Sequence, residues 1–424
     1  MGRTMTEVST SSVPSDPPVP PEGLLPPRSF GQIPGFDGLR GIAVLIVVVA
    51  HMDVILPIPT LLVIPGATVS LDSFFVLSGF LITALLLREQ AKWGGIGIGA
   101  FYRRRVLRLL PILYVVVAAN ALFAYATHQW EHTEVPSIFS VSFYYANYYT
   151  ASAASPFAPK LASGFQHLWS LSFEEQFYFL WPWMTIVLLT IRVKLRTVVI
   201  VLLSLIGIIA IHRFVLYQDT HRWWSIFYRT DTRADSILWG ALLGHIWMRR
   251  REPTRGLKVA GWAAAAFLLA CLPFATQYGK FVYWGGFLAI DAACAVLLLV
   301  ILDGKWAGRH FLELKPLVAL GMVSYSFYLW HLPVFFAVRY YDTHWAYWVR
   351  VVVALSVTLA LTVLSWFLLE RPLMRWSHRL EARRKARLDA AAATRVGPEE
   401  SSAPAVVGEL VAGSPATSTA QPDD

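Results

Sequence analysis

The sequence predicts an all-α integral membrane fold: a bundle of about ten transmembrane helices with both termini cytoplasmic. Three observations predict it. First, 56% of the 424 residues are hydrophobic and the mean hydropathy is +0.52, more apolar surface than a soluble domain needs. Second, apolar runs recur near residues 39–57, 67–88, 106–127, 168–190, 196–212, 234–248, 257–273, 281–302, 316–338 and 346–369. Most approach the roughly 17–25 residues that cross ~30 Å of hydrocarbon; the fifth, sixth and seventh are short. Third, the basic residues alternate between loops. With residues 1–38 inside, the inward loops hold Arg88, Lys92, Arg103, Arg104, Arg105 and Arg108, then Arg192, Lys194 and Arg196, then Arg249, Arg250, Arg251, Arg255 and Lys258, then Lys305, Arg309 and Lys315. The outward segments hold fewer, among them Lys160, Arg213, Arg229 and Arg233. An odd number of spans would break this alternation.

The same placement decides what the net charge of +9 means. The cations sit in short loops between apolar runs, so they orient helices and give no sign of a nucleic-acid partner. The 17 Trp and 17 Tyr suit a chain with two water–lipid interfaces. The two cysteines, Cys271 and Cys294, lie inside apolar runs, as buried free thiols and with no metal site. Residues 1–32 read as a disordered cytoplasmic tail and 33–377 as the membrane domain. Residues 378–424 read as a second cytoplasmic tail, a short basic helix followed by a disordered stretch. No repeat relates the halves of the chain, and no pair of helices is broken by Gly or Pro.

Charged residues inside apolar runs are costly and mark candidate sites. Arg40 and His51 are eleven residues apart on the first run, about 20° past three turns, with roughly 16 Å of rise between them. They share a face, Arg40 at the cytoplasmic edge and His51 at mid-membrane or beyond. A neutral imidazole there is either a general base or a structural hydrogen-bonding group. Asp72, near the outer end of the second run, either meets His51 at similar depth and fixes its tautomer, or faces outer water. Arg103, Arg104, Arg105 and Arg108 open the third run. They either grip phosphates as guanidinium forks or set orientation against lipid headgroups.

Glu174 and Glu175 stand together near the outer end of the fourth run and point about 100° apart, so at most one faces the bundle. A buried carboxylate needs a partner, and His167 is one candidate. Arg233 and Asp235 form either a salt bridge or part of the same outer pocket. Tyr325, Tyr328 and His331 make a stripe on the ninth run for which packing is the simplest account. Ser78-Gly79 suits close helix packing.

Together these segments resemble one family. GLRGIAVL with its Arg-x10-His spacing, FFVLSGFLIT, YRRRVLRLLP, HLWSLSFEEQFYFLWP, RADSILWGALLG and SYSFYLWHLPV follow one another in the order seen in the acyltransferase-3 membrane O-acyltransferases, over about residues 33–372. The resemblance implies a ten-helix bundle in the bacterial inner membrane. It implies acyl-CoA, most simply acetyl-CoA, as cytoplasmic co-substrate, and a hydroxyl acceptor on an envelope glycolipid, carbohydrate or small molecule. Carried over by motif, His51 is the essential histidine and Arg40 its partner, Arg104, Arg105 and Arg108 hold the CoA phosphates, and Glu174 is the motif carboxylate. The SGNH esterase-like domain of some members is not expected here.

On this reading the pantetheine arm passes Arg40 and the thioester reaches His51. The acceptor approaches from outside near Glu174 and Asp235, with Asp72, His167, Arg233 and Tyr325 in support. An acyl-histidine intermediate is the alternative path. A lipid or glycan transporter or flippase working through buried ionisable residues is the competing class, and the unbroken, unrepeated helices speak against it.

Overall fold

The computed structural model describes residues 33–56, 66–155, 161–249, 256–341, 344–377 and 379–382. Both predicted tails fall almost entirely outside them. Of the predicted basic helix, residues 379–382 are described and helical. The described residues up to 374 form one compact unit, and those from 375 belong to a second.

The described residues hold helices and no strand. In chain order these are α1 (Pro34–Ala50), α2 (Ala67–Trp93), α3 (Ile98–Ala126), α4 (Glu134–Ser142), α5 (Ala146–Ala151), α6 (Trp169–Thr190), α7 (Leu195–Thr220), α8 (Trp223–Phe227), α9 (Ala234–Arg249), α10 (Leu257–Cys271), α11 (Phe287–Asp303), α12 (Arg309–Leu312), α13 (Lys315–Met322), α14 (Ser324–Tyr341) and α15 (Tyr347–Ser365). Every apolar run of the sequence falls on one of them. Among the described residues six helices are long and apolar enough to cross a membrane, or seven if α13 and α14 count as one bent span. This is a multi-pass membrane protein. The remaining runs fall on shorter or more polar helices: α9 has 16 residues, α10 has 15, and the 22 residues of α6 include the Glu174–Glu175 pair.

Two helices depart from the unbroken pattern expected. α13 and α14 meet at 74°. The turn before α11 is a π-type segment, Val282–Gly286, with non-helical backbone at Trp284 and Gly285. Gly285 has φ +114°, open to glycine and strained for other residues. The expectation that no helix is broken at Gly or Pro is therefore corrected before α11, where the break falls on the Gly285-Gly286 pair, while the α13–α14 bend falls at Val323.

α7 shows what lipid does to a helix. It is apolar on all sides, yet buries one stripe, Val198, Leu202, Ile206, Arg213 and Tyr217. Ile200, Ile208, Ile211 and Val215 stay exposed around the rest. An all-round apolar helix with a single buried stripe is one that faces hydrocarbon.

Two close crossings position the site, and both explain glycines in the motifs. A Cβ on Gly38 would lie 1.7 Å from the Leu312 carbonyl oxygen, and one on Gly321 1.7 Å from that of Asp37. α1 thus crosses α12 and α13 backbone to backbone. α2 and α9 meet likewise: a Cβ on Gly79 would lie 1.9 Å from the Ile237 carbonyl oxygen, and one on Gly240 1.9 Å from that of Val76.

Candidate active site

α1 ends at Ala50, His51 is its C-cap, and a 3-10 turn, Met52–Val54, follows. The His51 Nδ1 lies 2.8 Å from the Val47 carbonyl oxygen. A carbonyl only accepts, so Nδ1–H donates, and the neutral ring keeps a lone pair on Nε2. The main chain of one helical turn earlier therefore sets the tautomer.

Two further imidazoles adjoin it. His331 on α14 packs edge to face on His51 with ring centres 5.2 Å apart. His167, in the 3-10 turn Gln166–Leu168 that opens α6, stands 4.8 Å from His331. The His331 Nδ1 bonds to the Tyr328 carbonyl oxygen at 2.6 Å, so its Nε2 also bears the lone pair. Tyr328 ties this corner together. Its hydroxyl donates to the His167 carbonyl oxygen at 2.5 Å and takes a bond from the Ser170 hydroxyl at 2.7 Å.

Arg40 begins a second group. It pairs with Asp37, one turn earlier, at 3.6 Å. Glu174 and Arg108 are among the charges that act on it. The Glu174 carboxylate accepts from the Ser78 hydroxyl at 3.0 Å and the Tyr178 hydroxyl at 3.3 Å. The guanidinium of Arg105 lies 3.2 Å from the centre of the Tyr178 ring. Glu174 is thus joined to the arginine side of the bundle. Its partners are these hydroxyls rather than His167, the candidate that the sequence offered.

The neighbouring Glu175 points away. It lines a pocket of about 350 Å³ with Tyr102, Arg105, Leu109, Tyr144 and Gln176. The arginine motif divides. Arg104 pairs with Glu89 at 3.5 Å, Arg105 lines the pocket, and Arg108 is exposed. Tyr325 donates to the Leu109 carbonyl oxygen at 2.9 Å, tying α14 to α3.

The third group is a buried charge cluster. Asp72 accepts a very short bond from Arg233, and both side chains are fully buried. Arg213 donates to Asp235 at 2.8 Å and to the Thr232 carbonyl oxygen at 2.7 Å. Ser236 donates to Asp291 at 3.0 Å, and the Arg233 guanidinium stacks 3.6 Å over Phe287. Two sequence expectations are corrected. Asp72 neither serves His51 nor faces water; it neutralises Arg233, because a buried guanidinium needs a carboxylate. Arg233 and Asp235 do not pair with each other, and Arg213 and Arg233 are buried partners rather than loop charges.

The structure therefore brings His51 and His167 together, and links Arg40, Arg105 and Glu174. It separates Asp72, Arg233 and Asp235 from both groups. Sequence reasoning missed His331, whose stripe with Tyr328 was the available signal, and Ser78, Tyr178, Arg213 and Asp291. Cys271 and Cys294 are free and buried. Among the described residues no group of His, Cys, Asp and Glu is arranged to hold a metal ion.

A membrane bundle with a buried imidazole cluster at the end of its first helix, and an arginine-lined pocket beside a motif glutamate, defines a class of membrane protein with a polar site inside. The family model for the acyltransferase domain of the acyltransferase-3 type matches residues 33–370, and the chain belongs to that family. The chain is 31% identical over 371 residues to YrhL, a candidate peptidoglycan O-acetyltransferase of Bacillus subtilis (strain 168), covering 83% of this chain and 56% of that one. It is 28% identical over 369 residues to the O-acetyltransferase OatA of Staphylococcus aureus (strain NCTC 8325), covering 83% and 58%. It is 29% identical over 316 residues to the peptidoglycan O-acetyltransferase OatA of Listeria monocytogenes, covering 71% and 49%. The chain thus spans only about half to three-fifths of the length of these relatives. No solved structure matches.

Proposed function

We propose that this protein is an O-acyltransferase of the bacterial inner membrane. It moves an acyl group, acetyl in the simplest case, from cytoplasmic acyl-CoA to a hydroxyl of an envelope carbohydrate or glycolipid. The relatives' names point to peptidoglycan as one such acceptor. Both termini are cytoplasmic and the apolar runs make ten spans, so the arginine motif faces the donor side. The observation that carries the reading is His51: a half-buried imidazole whose Nδ1–H is held by Val47, leaving the Nε2 lone pair to take a proton.

On this reading Arg105 and Arg108 hold CoA phosphates, with Arg104 anchored by Glu89 beside them. Arg40, between Asp37 and Glu174, lies along the path of the pantetheine arm. His51 removes the proton of the acceptor hydroxyl. The hydroxyl oxygen bonds to the thioester carbonyl carbon, the C–S bond breaks, and the thiolate leaves and recovers the proton from the imidazolium.

The test is made on purified protein in proteoliposomes with labelled acetyl-CoA inside, together with a deletion strain complemented by wild type or His51→Ala. Release of CoA thiol and an acetyl-sized mass on an envelope glycan, both restored by wild type and lost in His51→Ala, are the expected results. Equal acetylation with His51→Ala would overturn the role of His51. No acetyl difference between the deletion strain and its wild-type complement would overturn the enzyme reading. Labelled protein trapped without acceptor would replace direct transfer by an acyl-histidine path.

A further inference from the structure

The proposed reaction uses one imidazole, yet three are packed together. His331 is 0% exposed and His167 is 3% exposed. Among the described residues the His331 Nε2 has no hydrogen-bond partner, and neither ring nitrogen of His167 makes a hydrogen bond of good geometry, the ring only facing the Tyr328 and Leu329 carbonyls. Buried polar atoms are normally paired, and unpaired ones call for an explanation. Such atoms on two adjoining rings, next to the one imidazole that reaches the surface, point to a ligand.

Their chemistry narrows what that ligand is. The His331 Nδ1–H is committed to the Tyr328 carbonyl, so a neutral His331 offers only an acceptor. A neutral His167 turns its N–H toward the Tyr328 and Leu329 carbonyls and offers its other nitrogen as an acceptor. Two acceptors do not suit a carboxylate or phosphate, which needs donors throughout. They suit hydroxyl groups, each of which donates once and accepts. The backbone holds the rings where they are, through Tyr328 and His167 main-chain carbonyls and the Ser170 and Tyr328 hydroxyls.

We propose that His331 and His167 form a hydroxyl-binding subsite beside His51, which recognises a neutral polyol by a hydroxyl next to the one that is acylated. The inference rests on the reading of His51 as base and adds the residues that recognise the acceptor. A site built to bond a hydroxyl discriminates strongly against analogues that lack it. The His331 and His167 rings are therefore specificity-determining, and the acceptor carries neighbouring hydroxyls, as sugars do.

The experiment compares two alkyl acceptors in proteoliposomes with acetyl-CoA, octyl glucoside and 1-octanol. The first has a polyol head and the second a single hydroxyl. Wild type is expected to prefer the glucoside in kcat/KM by at least ten-fold. His331→Phe, which keeps a flat ring and removes the lone pair, should lose at least ten-fold of that preference, mostly as KM for the glucoside. His331→Gln, which returns an acceptor atom near the Nε2 position, should recover part of it.

Equal use of both alcohols by wild type would overturn the subsite. So would a His331→Phe enzyme that lowers kcat for both acceptors alike and keeps their ratio, which is what loose packing or a structural water would produce. If wild type releases no CoA thiol with either alcohol or with an envelope glycan, the enzyme reading fails, and the subsite with it; activity on the glycan but on neither alcohol overturns the subsite alone. If wild type is active, His51→Ala is not, and the His331 variants keep the wild-type preference, the subsite alone fails.

Discussion

The guanidinium of Arg105 lies 3.2 Å from the centre of the Tyr178 ring, while the hydroxyl of the same tyrosine reaches Glu174 at 3.3 Å. One side chain thus couples a motif arginine on α3 to a motif carboxylate on α6. A desolvated cation–π contact of this kind is worth up to ~2 kcal/mol. If Arg105 grips the donor, Tyr178→Leu should raise KM for acetyl-CoA by about ten-fold, the equivalent of ~1.4 kcal/mol. Tyr178→Phe should raise it much less, because the ring stays. Steady-state kinetics in proteoliposomes read the difference.

The Asp72–Arg233 pair makes a stability prediction. Removing one partner leaves the other charge buried, at a cost of ~3–5 kcal/mol. Asp72→Ala and Arg233→Ala should each lower the thermal stability of the detergent-solubilised protein sharply. The double variant Asp72→Leu with Arg233→Met should be more stable than either single one. A double variant as unstable as the sum of the two would show that the pair is not coupled.

The helix crossings predict a contrast between glycines. At Gly79 an added methyl meets the Ile237 carbonyl oxygen, whereas at Gly95 it meets nothing within 4 Å. Overpacking costs ~1–3 kcal/mol or more where backbone must move. Gly79→Ala should therefore reduce melting temperature and yield of folded protein. Gly95→Ala should leave both near wild type.

Glu134 gives a pH dependence outside the spans. It sits in the first turn of α4, where a helix terminus favours negative charge, but it is buried and its Oε2 has no partner among the described residues. Burial, with Glu131 adding to it, raises the carboxyl from the ordinary 4.5 to about 7. Folding thus favours the protonated form. Its contribution to stability is complete below about pH 4.5 and is lost as pH rises through about 7. Glu134→Gln should raise the melting temperature above pH 7 and change it little at pH 5. An unchanged difference across that range would mean the group titrates normally.

The parts of this fold that face lipid were legible in the sequence. The apolar runs fall on helices, the ninth on two of them, because hydrocarbon demands a continuous apolar stretch wherever a helix is exposed to it. The Arg40–His51 spacing was legible too, since both lie on one helix or at its end. Partners that the chain brings together from afar were not. Asp72 and Arg233 are 161 residues apart, and Ser78 and Glu174 are 96 apart. Nothing local says that a carboxylate beside an apolar run will find a guanidinium rather than a histidine. His331 was read as packing because a Tyr and a His three residues apart make an ordinary stripe. Only the rings of His51 and His167 beside it reveal unpaired nitrogens.

The bond from His51 to Val47 has a consequence for how such a protein can diversify. The tautomer of His51, and with it the Nε2 lone pair, is set by the main chain of α1. Substitutions in the surrounding helices can remodel what is brought to that nitrogen without turning the ring or shifting its proton. If His51 is the base, chemistry and recognition are separable, the one written into a single helix end and the other open to change in the helices around it.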